Sequence, residues 1–278
     1  MSARRAPRGG VRAIVLRSAG TNCDGETVLA LRAAGAEVDL VHLNALARDP
    51  ARLAAAAILA LPGGFSYGDY VAAGRVFGLE IRHRLLDPLH RFVADGGFVL
   101  GVCNGFQILV ELGMFEVPGA SAAARGIALT DNESNRFECR WVTLRAEACA
   151  CPWLVAGELM PVPVAHAEGR FVVRDAETLA RLRANGQIAL TYVAPDGGPA
   201  AYPDLPNGST AAIAGLCDPS GRVLGLMPHP ERNLMPWNHP QWTRRPPRAE
   251  GEGLSFYRRL VECAARGAPS AARTSSRR

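Results

Sequence analysis

The chain has no lysine: all 31 of its basic residues are arginine. That excludes a Walker-type phosphate loop, Schiff-base chemistry and pyridoxal-phosphate catalysis, each of which needs an amine. Any ATP used in its reaction is expected to be bound by another chain. Aromatic residues are scarce at 6%. No apolar run approaches a bilayer span: the longest, Leu53 to Leu61, is about half of the roughly 20 residues required. Gly9, Gly10 and Arg12 break the position where an export signal would begin its apolar region. The reading is a cytoplasmic protein with no membrane partner.

Acidic residues are missing from both ends. Residues 1–12 and 264–278 each hold four arginines and no acid, and setting those eight aside turns the formal charge of +5 into −3. A mildly acidic body is a poor phosphate-binding surface, so no nucleic-acid partner is expected. The seven cysteines are odd in number and scattered, in a chain long enough to fold without disulfides. Cys149-Ala-Cys151 is too tight for ordinary zinc-ligand spacing, and no metal site is read from the sequence.

The 278 residues, 48% of them apolar, suffice for one large core. Strand and helix signals alternate through the first half: strands at Val11–Leu16, Glu37–Leu43, Ala56–Leu61 and Phe98–Val102, helices at Asp24–Ala34, Arg75–Ala94 and Asn104–Leu112. The second half reads as strands at Cys139–Leu144, Gly169–Val173, Ile188–Val193 and Arg222–Met227, then a helix near Leu254–Ala265. The expected fold is α/β, a flavodoxin-like or Rossmann-like, mostly parallel central sheet with helices on both faces and added antiparallel strands. One domain is expected over 12–265, with 236–250 as a long loop and disordered basic tails at 1–11 and 266–278.

The most informative segment is Gly101-Val-Cys103-Asn-Gly105, where a buried strand meets a helix. This is a nucleophile elbow with sulfur in place of oxygen. The turn is so sharp that its neighbours two residues away must lack a Cβ, and the helix N-terminus favours a thiolate at Cys103. Such a nucleophile needs an imidazole, and the imidazole an orienting group. His229 comes after the apolar run Val223–Met227 and so emerges from a strand end, with Glu231 placed to reach its ring if the chain stays extended. His166 is the rival base, disfavoured because no apolar strand is read before it. Pro62-Gly-Gly-Phe65 offers backbone donors: the N–H of Gly64 or Phe65, with that of Asn104, is the expected oxyanion hole.

An elbow cysteine, an upstream Gly-Gly loop and a downstream His-Pro-Glu resemble the class I glutamine amidotransferases. Within that class the chain looks most like the glutaminase subunits of phosphoribosylformylglycinamidine synthases. The stretches carrying the resemblance are Gly20–Asp24, Pro62–Asp69, Cys103–Gln107, Asn132–Glu138, His166–Arg170, Asn207–Ser209 and Met227–Arg232. The resemblance implies a Cys103, His229, Glu231 triad, a glutamine held by Gln107, Arg136 and Phe137, and a Cys23 that is not the nucleophile. It also implies an ATP-dependent synthetase subunit and a small bridging subunit as partners, with ATP and magnesium on the synthetase and no cofactor on this chain. Loop 236–250 is a candidate docking element. Arg17-Ser18, Asn135 and Ala167 depart from the family pattern; at 135 asparagine stands where glycine is usual and tolerates left-handed backbone. The alternatives are an amidotransferase serving a different synthetase and a stand-alone cysteine amidase or peptidase.

Overall fold

The computed structural model describes residues 10–116 and 126–267. The expected basic tails fall almost wholly outside the described residues. Nine strands form one sheet in the order β2-β1-β3-β4-β11-β10-β9-β6-β7. Its parallel part comprises β1 (Arg12–Arg17), β2 (Glu37–His42), β3 (Ile58–Leu61), β4 (Phe98–Val102) and β11 (Val223–Leu226). The antiparallel extension adds β10 (Ile213–Cys217), β9 (Ile188–Val193), β6 (Glu138–Ala146) and β7 (Leu159–His166). A separate small ribbon pairs β5 (Ile127–Thr130) with β8 (Arg170–Val173).

Two groups of helices pack around this sheet. One joins α1 (Asp24–Ala33) to α6 (Glu252–Gly267); the other joins α2 (Leu43–Arg48), α3 (Arg75–Ala94) and α4 (Asn104–Leu112). The short α5 (Ala176–Ala184) packs on β8. Every residue of β3, β4 and β11 is buried, which is why these strands read as unbroken apolar runs rather than alternating ones. The segment 236–250 holds only two short 3-10 turns, Pro236–Asn238 and Trp242–Arg244, and Arg248 ties it to Glu252 of α6.

Several elements were not expected. β7 was hidden by Pro161 and Pro163, which normally break strands but are tolerated here because β7 is the sheet's edge. β10 was hidden by Gly215, where a Cβ would stand 2.7 Å from the Gly225 carbonyl oxygen. β5, α2 and α5 were also unread.

The elbow cysteine and its neighbours: candidate active site

β4 and β11 lie side by side and parallel, with Val102 paired to Leu226. The residues after each strand therefore emerge at the same rim, the carboxyl ends where open α/β sheets place their ligands. The Cys103 N–H donates to the Leu226 carbonyl at 2.7 Å and locks the two rims together.

Cys103 has φ 52° and ψ −107°, an uncommon conformation for a residue with a side chain. The elbow closes because its flanks lack side chains. A Cβ on Gly105 would sit 1.9 Å from the Leu61 carbonyl oxygen, and one on Gly101 2.6 Å from the Gly105 carbonyl oxygen. The Cys103 thiol is buried and donates to the Ala165 carbonyl at 3.7 Å.

His229 and Glu231 are both buried, and Nδ1 of the ring stands 2.6 Å from Oε1 of the carboxylate. The chain between them is a 3-10 turn over Pro230–Arg232 rather than extended backbone. The turn still brings the carboxylate to the ring, by a different geometry from the one expected. The His229 N–H donates to the Pro163 carbonyl at 2.9 Å, anchoring this segment on β7. Burial favours the neutral ring, but the Glu231 carboxylate and the Cys103 sulfur together outweigh it and hold the His229 pKa well above its ordinary value.

His166 does end an apolar strand, β7, contrary to the expectation. It nonetheless does not line the cavity at the elbow, and its Nδ1 stands 3.0 Å from Asn132 Oδ1. Burial, helped by nearby His229, pushes its ring down to about 3.

A cavity of about 220 Å³ opens here, lined by Cys103, His229, Gly64, Phe137, Cys23 and Arg232 among others. Of the proposed oxyanion donors, the Phe65 N–H is already committed to the Gly20 carbonyl at 3.0 Å, which removes it. The Gly64 N–H has no acceptor among the described residues. The Asn104 N–H opens the first turn of α4, where N–H groups lack an intrahelical acceptor. Phe137 lines the cavity and stacks on Phe65, with ring centroids 6.4 Å apart.

Gln107 and Arg136 do not line this cavity. The Gln107 amide is buried, donates to the Glu168 carbonyl at 2.6 Å and accepts from Asn104 Nδ2 at 3.1 Å. Its side chain joins α4 to the segment after β7. Arg136 is exposed, and its carbonyl accepts from Asn132 Nδ2 at 2.9 Å.

Polar side chains from three motif stretches brace the loops around the site. Asn132 Nδ2 also donates to the His166 carbonyl, and Asn207 Nδ2 donates to the Gly169 carbonyl at 2.7 Å. Ser66 Oγ donates to Asn104 Oδ1 at 2.6 Å, and Asn104 Nδ2 donates to Asp69 Oδ1 at 3.1 Å. Asp69 is half-buried; desolvation raises its carboxyl to about 6, with Glu168 adding to the effect and the Gly74 and Asn104 hydrogen bonds opposing it. Asn135 has φ 50°, the left-handed backbone its side chain tolerates.

Sequence reasoning missed Cys23 and Arg232 as neighbours of the elbow. Arg232 Nη2 donates to Cys23 Sγ at 3.1 Å. Both belong to stretches that carry the family resemblance, but nothing in their spacing shows that they meet.

Residues 10–263 match the family described as a CobB/CobQ-like glutamine amidotransferase domain. A protein of Dehalococcoides mccartyi named phosphoribosylformylglycinamidine synthase subunit PurQ is 41% identical over 256 residues, covering 91% of this chain and 98% of its own. Its namesake from Picrophilus torridus is 44% identical over 241 residues, covering 87% and 94%. Among solved structures, a chain of PurLQS from Thermotoga maritima aligns with a TM-score of 0.68 and 32% identity, covering 91% of this chain and 99% of that one.

Proposed function

This chain belongs to the family of CobB/CobQ-like glutamine amidotransferase domains, and on that premise we propose that it is the glutamine-hydrolysing subunit of a phosphoribosylformylglycinamidine synthase. The observation that carries the chemistry is the convergence of Cys103 with the His229–Glu231 pair on two adjacent strand ends.

In this reading the Cys103 thiolate attacks the side-chain amide carbon of glutamine. The developing oxyanion is met by the N–H groups of Gly64 and Asn104. His229, held by Glu231, gives its proton to the departing nitrogen, so ammonia leaves and a glutamyl thioester remains. Water, giving a proton to the ring, then attacks the thioester; glutamate leaves and the thiolate returns. Phe137 supplies an apolar wall, while Gln107 acts at one remove by holding the segment after β7.

The ammonia passes to an ATP-dependent synthetase subunit, which converts the formylglycinamide ribonucleotide to the amidine in purine biosynthesis. ATP and magnesium belong to that partner; a chain without lysine has no P-loop to hold the nucleotide. A small bridging subunit completes the assembly, as the PurLQS relative suggests. Among the described residues no helix is long and apolar enough to cross a membrane.

The test is twofold. Treatment with a diazo-ketone glutamine analogue, followed by peptide mass spectrometry, is expected to place the adduct on Cys103. In complex with the synthetase, Cys103→Ala is expected to abolish glutamine-dependent amidine synthesis and to spare synthesis from added ammonia. Loss of both activities in an intact complex would overturn the division of labour.

A further inference from the structure

Cys23 stands beside the elbow with no part in amide hydrolysis. It lies after β1 at the head of α1, is 2% exposed, and its N–H donates to the Gly63 carbonyl at 3.2 Å. Its sulfur, a ring nitrogen of His229 and a carboxylate oxygen of Glu231 all lie within 4.8 Å of one another. The absence of a side chain at Gly63 is what permits this approach: a Cβ there would stand 2.7 Å from His229 Cε1 and 3.2 Å from Cys23 Sγ. One polar atom in the group, Glu231 Oε2, is buried without a hydrogen-bond partner.

We propose that Cys23, His229 and Glu231 form a binding site for a divalent cation of the zinc class. A thiolate, an imidazole and a carboxylate are the donor types that zinc takes up, and they are a poor set for magnesium or calcium. Tetrahedral ligands at zinc distances stand roughly 3.5 Å apart, so side-chain movements of about 1 Å complete the set. The fourth position is left to water. On binding, the Cys23 sulfur and the ring nitrogen facing Glu231 release their protons to solvent, the Nδ1–Oε1 hydrogen bond opens, and Zn–S, Zn–N and Zn–O bonds form with nothing oxidised or reduced. The Arg232 guanidinium, 3.1 Å from the same sulfur, is the opposing charge and weakens the site. No spacing in the sequence signals such a site, because its ligands come after two different strands, β1 and β11.

A bound cation takes the His229 ring out of proton transfer, so occupancy inhibits reversibly. The binding claim itself does not depend on the glutaminase reading, because it is read spectroscopically. The metal-free full-length chain is titrated with Co²⁺, and zinc affinity is measured by competition. One equivalent is expected to bind with a thiolate-to-metal charge-transfer band and intense tetrahedral d–d bands, both retained in Cys103→Ala. The near-isosteric Cys23→Ser is expected to lose the charge-transfer band and at least tenfold in affinity, with an unchanged circular dichroism spectrum. Arg232→Gln is expected to tighten binding. The proposal is overturned if the wild-type chain binds no Co²⁺, or if the band survives Cys23→Ser and disappears in Cys103→Ala, since the metal is then held by the elbow thiol instead.

Discussion

Nδ1 of His229 and Oε1 of Glu231 are 2.6 Å apart in a space closed to solvent, with the proline between them opening a 3-10 turn. A carboxylate in that position fixes the ring's orientation and stabilises its charged form. Glu231→Gln is expected to lower kcat for glutamine hydrolysis by about 10²- to 10⁴-fold with little change in KM, the order seen when a triad carboxylate is made neutral. Steady-state glutamate release in the assembled complex measures it. A loss smaller than threefold would remove Glu231 from the role of orienter.

The glycines of the elbow make a second prediction, separable from chemistry. A Cβ at Gly105 meets the Leu61 backbone oxygen at 1.9 Å, and backbone in a buried sheet cannot move aside. Gly105→Ala is expected to cost about 3 kcal/mol or more, or to prevent folding. Gly25, in α1 with nothing within 4 Å, is the control: Gly25→Ala is expected to be stabilising by about 0.5–1 kcal/mol. Urea unfolding midpoints compare the two, and equal effects would discard the steric account of the elbow.

Asp69 predicts a dependence on pH. Its folded-state pKa is raised from 3.8 to about 6, so the native chain holds a proton that the unfolded chain has already released between these values. The contribution of Asp69 is therefore fully present below pH 4 and lost as pH rises through 6. Asp69→Asn keeps an acceptor for Asn104 and removes the charge, so it should gain on wild type between pH 4.5 and pH 7.5. One pKa unit corresponds to about 1.4 kcal/mol, but the side chain is half exposed and solvent screening reduces the gain to about 1 kcal/mol. Glu168, the other acid facing this carboxyl, is left in place. Parallel stability curves at the two pH values would count against the assignment.

Phe137 and Arg136 are adjacent in sequence and differ in placement: the ring lines the cavity and the guanidinium does not. Losing an apolar wall of this kind is expected to weaken glutamine binding by about 1 kcal/mol. Phe137→Ala should accordingly raise KM about fivefold, and Arg136→Ala less than twofold. The reverse order would restore Arg136 as the glutamine contact that the family resemblance implies.

The segment from Arg75 to Leu112 was fully legible, because α3 is bounded by Gly74 and the Asp95-Gly96 turn, while β4 and α4 meet at the elbow. β7 was not, since its prolines carry meaning only once the strand is known to lie at an edge. α5 was overlooked although Asp175 caps it, accepting from the Thr178 N–H at 2.8 Å, a signal present in the residues themselves. Cys103, His229 and Glu231 could be chosen by residue type and local context. Their meeting depends on β11 pairing with β4 across a long excursion, which no local pattern encodes. Cys23 and Arg232 were invisible as neighbours for the same reason, and the engagement of Phe65 N–H depends on how the first loop folds back.

β11 sits between β4 and β10 although it is the last strand in the sequence. During synthesis the thiol of Cys103 is made early, while the strand that leads to the imidazole and carboxylate is the last strand to be made. A nascent or prematurely terminated chain thus carries its nucleophile without a proton carrier. On the proposed mechanism such a chain is expected to be inert toward amides until the strand that leads to His229 is in place.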